Sequence, residues 1–135
     1  MGEEMMELEI LLILLIVIVG FGIYRYFKQR KILKTLSEEE FRQGYRKAQL
    51  IDVREPKEFD GGHILGARNI PLSQLRNRLT ELRKDQPIYM YCQNGTRTAR
   101  AAMLLNKKGY KDLNQLQGGF KKWNGKIKKS KSPQY

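Results

Sequence analysis

Residues 87–110 read PIYMYCQNGTRTARAAMLLNKKGY, and this stretch decides the fold. The apolar run Pro87–Tyr91 predicts a short buried strand, and the segment from about Thr98 to Gly109 predicts a helix that stops at a glycine. A small polar loop joins the two, and Cys92 at its start is the only cysteine in the chain. Strand, loop and helix in this order are typical of α/β proteins.

The same alternation continues on both sides of this unit. Residues 49–53 (QLIDV) and 112–116 (DLNQL) predict two more strands, since they are short apolar runs between turn residues. Helices are predicted at residues 37–47, 54–62 and 72–82, the first from a capping box and the last from its leucine spacing. We therefore expect a central parallel sheet flanked by helices.

The N-terminal residues 1–27 have a different composition and predict one transmembrane helix. No charge interrupts residues 10–24, and extension to residues 8–27 gives the roughly 20 residues that cross a hydrocarbon core. Glutamates precede this run and lysines and arginines follow it, which predicts an N-terminus outside the cell and a cytoplasmic C-terminal part. The alternatives are a cleaved secretory signal, which normally has a basic rather than an acidic front, and a buried core helix.

The domain organisation follows from these segments. Residues 28–35 are expected to form a basic linker, residues 36–124 the folded domain, and residues 125–135 a basic C-terminal tail. The net charge of +12 comes mainly from the flanking segments. They contain no recognisable nucleic-acid-binding module, so a membrane partner through residues 8–27 is expected and a nucleic-acid partner is not.

Cys92 is the candidate reactive residue. In a parallel sheet, sites form beyond the carboxyl ends of strands, where Cys92 lies. The following helix N-terminus and the charge of Arg97 favour the thiolate, which is the nucleophilic form. A lone cysteine at a strand end is also a common packing residue, so the spacing alone does not name a reaction.

Three segments in order, LIDVREPKEFDGGHILGARNIP (50–71), YMYCQNGTRTARAAMLLNKKGY (89–110) and LNQLQGGFKKW (113–123), resemble the rhodanese-like family. This resemblance implies an α/β fold and sulfurtransferase activity. A sulfane sulfur would move from a small donor such as thiosulfate to a thiol or cyanide acceptor, through a persulfide on Cys92.

The resemblance also implies roles for single residues. Cys92 is the catalytic nucleophile, and the loop that surrounds its persulfide consists of Gln93, Asn94, Gly95, Thr96 and Arg97. Asp52 and Arg54 support this loop. No cofactor is implied, and one cysteine with one histidine, His63, makes a metal site improbable. His63 is expected in a structural turn and Trp123 in packing, while the oligomeric state stays open.

Two other functions remain. The first is a non-catalytic rhodanese fold that binds or senses a partner at the membrane. The second is a phosphatase or arsenate reductase that uses Cys92 on an oxyanion. The loop from Cys92 to Arg97 has six residues, as in the sulfur-transferring members that it resembles, and a phosphate loop would be one residue longer.

Overall fold

The structure is a computed structural model that describes residues 2–129, and for residues 29–31 it describes the backbone alone. The helices are α1 (Gly2–Ile32), α2 (Glu38–Gly44), α3 (Pro56–Asp60), α4 (Leu72–Leu75) and α5 (Thr96–Lys107). The strands are β1 (Leu33–Leu36), β2 (Gln49–Asp52), β3 (His63–Ile64), β4 (Arg68–Asn69), β5 (Ile88–Tyr91), β6 (Leu113–Leu116) and β7 (Ile127–Lys128). Short 3-10 turns cover Tyr45–Lys47, Leu79–Glu81 and Phe120–Lys122. The chain divides into two compact units, the first of which ends at Lys31.

The first unit is the helix α1, which is apolar on all sides. Its large apolar side chains from Met5 to Phe27 are more than half exposed. The 27 residues Gly2–Lys28 are long and apolar enough to cross a membrane. Secretory signal sequences have a similar length and composition, so this observation alone establishes an exposed apolar helix.

The second unit contains a five-stranded parallel sheet in the order β1-β6-β5-β2-β4. This confirms the expected α/β fold with a central parallel sheet flanked by helices. The strands β3 and β7 form a separate antiparallel pair. Because β5 is the middle strand, the residues that follow it emerge at the centre of the carboxyl edge of the sheet.

Side chains that alternate along β5 divide the core into two apolar layers. Ile88 and Met90 pack in one layer, together with Ala101 and Leu105 of α5. The alternate β5 residues Tyr89 and Tyr91 belong to the other layer, together with Phe41 of α2. Helices cover both faces of a parallel sheet because both faces are apolar.

The structure differs from the expected basic linker at residues 28–35. Helix α1 continues to Ile32, and β1 begins at the next residue and pairs with β6, from Leu33 opposite Leu113 to Leu36 opposite Leu116. The basic residues here suggested a solvated tether. Leu33 and Leu36 nevertheless pack in opposite layers of the core, which explains why this segment is an edge strand.

Part of the expected basic tail, residues 125–135, pairs with the folded domain. Ile127 and Lys128 form β7 against β3, and the amide of Leu65 donates to the carbonyl of Lys126 at 3.1 Å. Residues 130–135 lie outside the described part of the chain.

The predicted helix at residues 72–82 is shorter in the structure. It consists of α4 and a separate 3-10 turn, with the backbone of Arg78 outside helical geometry between them (φ −121°, ψ 18°). The hydroxyl of Tyr110 donates to the carbonyls of Leu79 and Leu82 at 2.8 and 3.2 Å. Both carbonyls therefore accept from a distant side chain, and the helix does not continue through them.

A glycine turn after β6 holds the segment that follows β5. The amide of Phe120 donates to the carbonyl of Cys92 at 2.8 Å, and the amide of Lys121 donates to the carbonyl of Gln93 at 3.3 Å. Gly119 precedes them with φ +69°, and a Cβ there would lie 2.6 Å from both carbonyl oxygens. Only glycine fits this close contact between two backbones.

Gly119→Ala is therefore expected to destabilise the fold more than Gly66→Ala. Gly66 also has a positive φ, +91°, but nothing lies within 4 Å of a Cβ there. Backbone strain of about 1–2 kcal/mol applies to both variants. The overlap at residue 119 should add about 1–3 kcal/mol. Urea unfolding of the full chain in non-ionic detergent, followed by near-UV circular dichroism, measures both, and equal losses would show that the contact is not tight.

Candidate active site

The candidate site lies where β5 and β2 end. Tyr91 and Asp52 are opposite each other in the parallel register, so the residues that follow the two strands lie side by side. The loop from Cys92 to Arg97 thus adjoins the segment that contains Arg54. This register explains how two segments about 40 residues apart in sequence form one site.

Cys92 is both a packing residue and the centre of the loop. Its side chain is 1% exposed and belongs to the same apolar layer as Met90 and Ala101. Its Sγ atom accepts a hydrogen bond from the amide of Gly95 at 2.8 Å. Cys92 is therefore both a packing residue and a candidate reactive residue, because it packs in the core while its sulfur accepts a hydrogen bond from an amide.

The rest of the loop is shaped by short hydrogen bonds. Gly95 caps α5 with φ +106°, a left-handed conformation that directs its amide back toward Cys92. Thr98 is buried, and its hydroxyl donates to the carbonyl of Gly95 at 2.7 Å. Thr96 donates to the side-chain oxygen of Asn94 at 3.1 Å, and both side chains are exposed. Helix α5 begins at Thr96, two residues before the expected start.

Asp52 and Arg54 form a buried ion pair beneath the loop, 0% and 2% exposed. Arg54 Nη2 lies 2.6 Å from Asp52 Oδ2, and Arg54 Nε lies 3.0 Å from both carboxylate oxygens. Burial lowers the pKa of Arg54, but its hydrogen bond to Asp52 and the charge of that carboxylate raise it, and the result lies above the ordinary value. The guanidinium of Arg54 therefore stays charged inside the fold.

The remaining donors of Arg54 connect three segments. Nη1 donates to Gln93 Oε1 at 3.1 Å, and Nη2 donates to the carbonyl of Gly62 at 2.6 Å. The guanidinium also lies 4.2 Å from the ring centroid of Phe120, a cation–π contact. The structure thus brings together Asp52, Arg54 and Gln93.

Arg97 has a partner that the sequence analysis missed. Its Nη1 lies 2.6 Å from Oε1 of Glu58 in α3, and both side chains are partly exposed. The hydrogen bond that Arg97 donates to Glu58 raises the pKa of Arg97. Burial raises the pKa of Glu58, but the hydrogen bonds from Arg97 and the Glu55 amide, together with the charges of Arg97 and Arg54, hold this pKa below the ordinary value. Glu58 also accepts from the amide of Glu55, three residues earlier. This capping-box spacing was the sequence signal that Glu58 has a structural role.

His63 and Trp123 contact other parts of the fold. The ring of His63 stacks on Phe59 at 3.6 Å, and its Nδ1 lies 2.8 Å from the Phe59 carbonyl oxygen. Trp123 packs edge-on against Phe41 and Tyr45, with ring centroids 6.0 and 5.9 Å away. Both residues therefore have packing contacts, as expected.

This arrangement presents one thiol to the N-terminal end of a twelve-residue helix. A backbone N–H points at the sulfur, and a cation follows in the first helical turn. Such surroundings stabilise negative charge on the sulfur or on an atom bound to it. Chemically, the site suits a nucleophilic thiolate or an anionic covalent adduct of it.

Comparisons with known proteins agree with this geometry. The family model for the rhodanese-like domain matches residues 35–126. The uncharacterized protein YqhL of Bacillus subtilis is 62% identical over 123 residues, which cover 89% of this chain and 98% of YqhL. The thiosulfate sulfurtransferase GlpE of Shewanella oneidensis is 33% identical over 75 residues, which cover 56% of this chain and 74% of GlpE.

Solved structures give the same result. The crystal structure of a rhodanese-like domain protein from Staphylococcus aureus superimposes with a TM-score of 0.65 at 26% identity, and the match covers 73% of this chain and 99% of that one. A domain match over most of the chain and a relative of nearly full length show the family directly. The chain belongs to the rhodanese-like domain family.

Proposed function

We propose that this protein is a sulfurtransferase that carries a sulfane sulfur as a persulfide on Cys92. The single observation that supports this most is the hydrogen bond from the Gly95 amide to Cys92 Sγ at the start of α5. A family relative that is named a thiosulfate sulfurtransferase supports the same reaction class.

The first step is attack of the Cys92 thiolate on the outer sulfur of a donor such as thiosulfate. A sulfur–sulfur bond forms to Cys92, the bond between the two donor sulfurs breaks, and sulfite leaves with its electron pair. The Gly95 amide would stabilise the anionic persulfide, because it already faces the sulfur of Cys92. Asp52 and Arg54 would position the loop through Gln93.

The second step moves the sulfur to an external acceptor. A thiolate or cyanide attacks the terminal sulfur, and Cys92 leaves as thiolate, so the enzyme returns to its starting state. The chain has no second cysteine, so it cannot release the sulfur by forming an internal disulfide with Cys92. An external acceptor is therefore part of the proposal.

A non-catalytic binding module is the second candidate, and the burial of Cys92 favours it. A side chain that is 1% exposed can react only if the donor reaches the sulfur through the loop opening. Persulfide formation on Cys92, compared with that of Cys92→Ser, distinguishes the two candidates.

We also propose that α1 anchors the protein in a membrane, with the N-terminus outside and the rhodanese-like domain in the cytoplasm. The helix has Glu3 and Glu4 in its first turn, and basic residues follow its apolar part. Positive charges close to a membrane span are retained on the cytoplasmic side.

Cys92→Ser should abolish persulfide formation and keep the fold, because the substitution changes one atom of a buried side chain. The full chain in non-ionic detergent is incubated with thiosulfate, and its intact mass is measured before and after cyanide. The native chain should gain one sulfur atom and lose it to cyanide, while the variant gains none. Thr80→Ala, at an exposed residue outside the loop, is the control and should still gain the sulfur. A native chain without any adduct would favour the binding module.

Arg97→Ala should raise the KM for thiosulfate about tenfold, the equivalent of about 1.4 kcal/mol, and change kcat less. The reason is that the variant removes a cation and leaves the carboxylate of Glu58 without this partner beside the loop that an anionic donor must approach. Arg100→Ala is the control, since Arg100 is an exposed residue of the same helix. The rate of thiocyanate formation gives the KM of both variants. An equal KM increase in Arg100→Ala would show that the effect comes from the net charge of the protein and not from a specific contact of Arg97.

The membrane proposal predicts that the full chain remains in the membrane pellet after an alkaline carbonate wash. Leu14→Lys combined with Ile18→Lys should release it, because each lysine near the centre of a span costs about 2.5–3.5 kcal/mol. Protease should degrade the domain in inverted vesicles and spare it in right-side-out vesicles. An intact mass that lacks the N-terminal helix would instead identify a cleaved signal.

A further inference from the structure

A groove with basic and aromatic walls lies away from the Cys92 loop. One cleft of about 620 Å³ is lined by Arg42, Tyr45, Arg46, Trp123 and residues 124–126. A second cleft of about 410 Å³ shares Tyr45 and Arg46 with it and extends to Leu65 and Gly66. We call the two together the basic groove, and neither contains a residue of the loop from Cys92 to Arg97.

The groove has a rigid aromatic base. The rings of Tyr45 and Trp123 meet edge to face at 5.9 Å, and both pack on Phe41, which is fully buried. The guanidinium of Arg42 lies 5.2 Å from the Trp123 ring centroid, and that of Arg46 lies 6.0 Å from the Tyr45 centroid. Tyrosine, tryptophan and arginine are the residues enriched in protein interfaces.

A carboxylate of the protein already binds at the edge of this groove. Glu38 Oε1 accepts from Arg42 Nη2 at 3.0 Å and from the amide of Asn124 at 2.6 Å. Its other oxygen, Oε2, accepts from Asn124 Nδ2 at 3.4 Å. The groove's own donors thus satisfy a carboxylate, which indicates the chemistry that this surface accepts.

Positive charge is left over after this contact. Arg46 and Lys126 are exposed, and within residues 2–129 neither forms an ion pair with a carboxylate. The carboxylate of Glu38 offsets only Arg42. Two cations therefore remain for an acidic ligand.

One exposed apolar side chain also lines the groove. Leu65, which is 40% exposed, lies in the second cleft together with Arg46. Its amide donates to the carbonyl of Lys126 and continues the register of β3 and β7, so the side chains of Leu65 and Lys126 lie on the same face of this strand pair. An apolar contact close to unpaired cations suits a polypeptide better than a small anion.

We propose that the basic groove docks an acidic polypeptide segment of a partner protein, with carboxylates at Arg46 and Lys126 and an apolar side chain against Leu65. The two clefts share Tyr45 and Arg46, so the groove is an extended surface, and its charge is complementary to acidic chains. This proposal does not depend on sulfur transfer.

Trp123 makes the test direct, because it is the only tryptophan and lies in the groove. The full chain in non-ionic detergent is titrated with a ten-residue peptide of alternating glutamate and leucine, and Trp123 fluorescence and titration heats are recorded. A saturable change with a Kd of about 10–100 μM is expected, the equivalent of about 5.5–7 kcal/mol. Binding should weaken as salt rises, because exposed charges are screened.

Variants of matched charge identify the site. Arg46→Glu combined with Lys126→Glu should weaken peptide binding at least tenfold. Lys107→Glu combined with Lys111→Glu, which makes the same charge change at exposed positions outside the groove, should change it less than twofold. Cys92→Ser should bind like the native chain.

Three results would overturn the proposal. The first is equal binding of a peptide with glutamine in place of glutamate, and the second is an equal loss in both charge-reversal variants. The third is a Trp123 response to inorganic phosphate or to micelles that contain anionic lipid, but not to the acidic peptide. That result would assign the groove to a small anion or to a membrane surface.

Discussion

The buried pair of Asp52 and Arg54 is the interaction on which the site depends. One guanidinium binds the end of β2, the side chain of Gln93 and the carbonyl of Gly62, and it stacks on Phe120. A buried pair is costly unless its hydrogen bonds are complete. Among the described residues, no buried side-chain nitrogen or oxygen lacks a partner. The pair therefore contributes less to stability than to a fixed junction between the sheet, the loop from Cys92 to Arg97 and the glycine turn after β6.

The local parts of the site could be predicted from sequence, and the distant contacts could not. The strand, loop and helix around Cys92 are encoded by apolar runs and turn residues within 24 positions. The contacts of Arg54 with Gln93 and of Arg97 with Glu58 each join residues 39 positions apart, and they depend on the strand register. Edge strand β1 was missed for another reason. Its neighbouring lysines and arginines are typical of a solvated tether, and only pairing with β6 shows that its leucines enter the core.

Cys92 shows why packing and chemistry are not alternatives in this fold. The alternation along β5 places its side chain in the layer that α5 covers, and the start of the same helix supplies the amide that faces its sulfur. Helix packing in the core therefore sets the distance between the sulfur and its donor. A substitution that moves α5 would change this distance without touching the loop.

The pairing of β1 with β6 also fixes the order in which the domain can assemble. Thr35 and Gln115, 80 residues apart, are joined by a side-chain hydrogen bond between these strands. During synthesis β1 leaves the ribosome early and remains without its partner β6 until nearly the whole domain has been made. A contact of such high sequence separation is slow to form. The sheet can therefore close only after β6 has been made, and a nascent chain that stops before residue 113 retains an open strand edge.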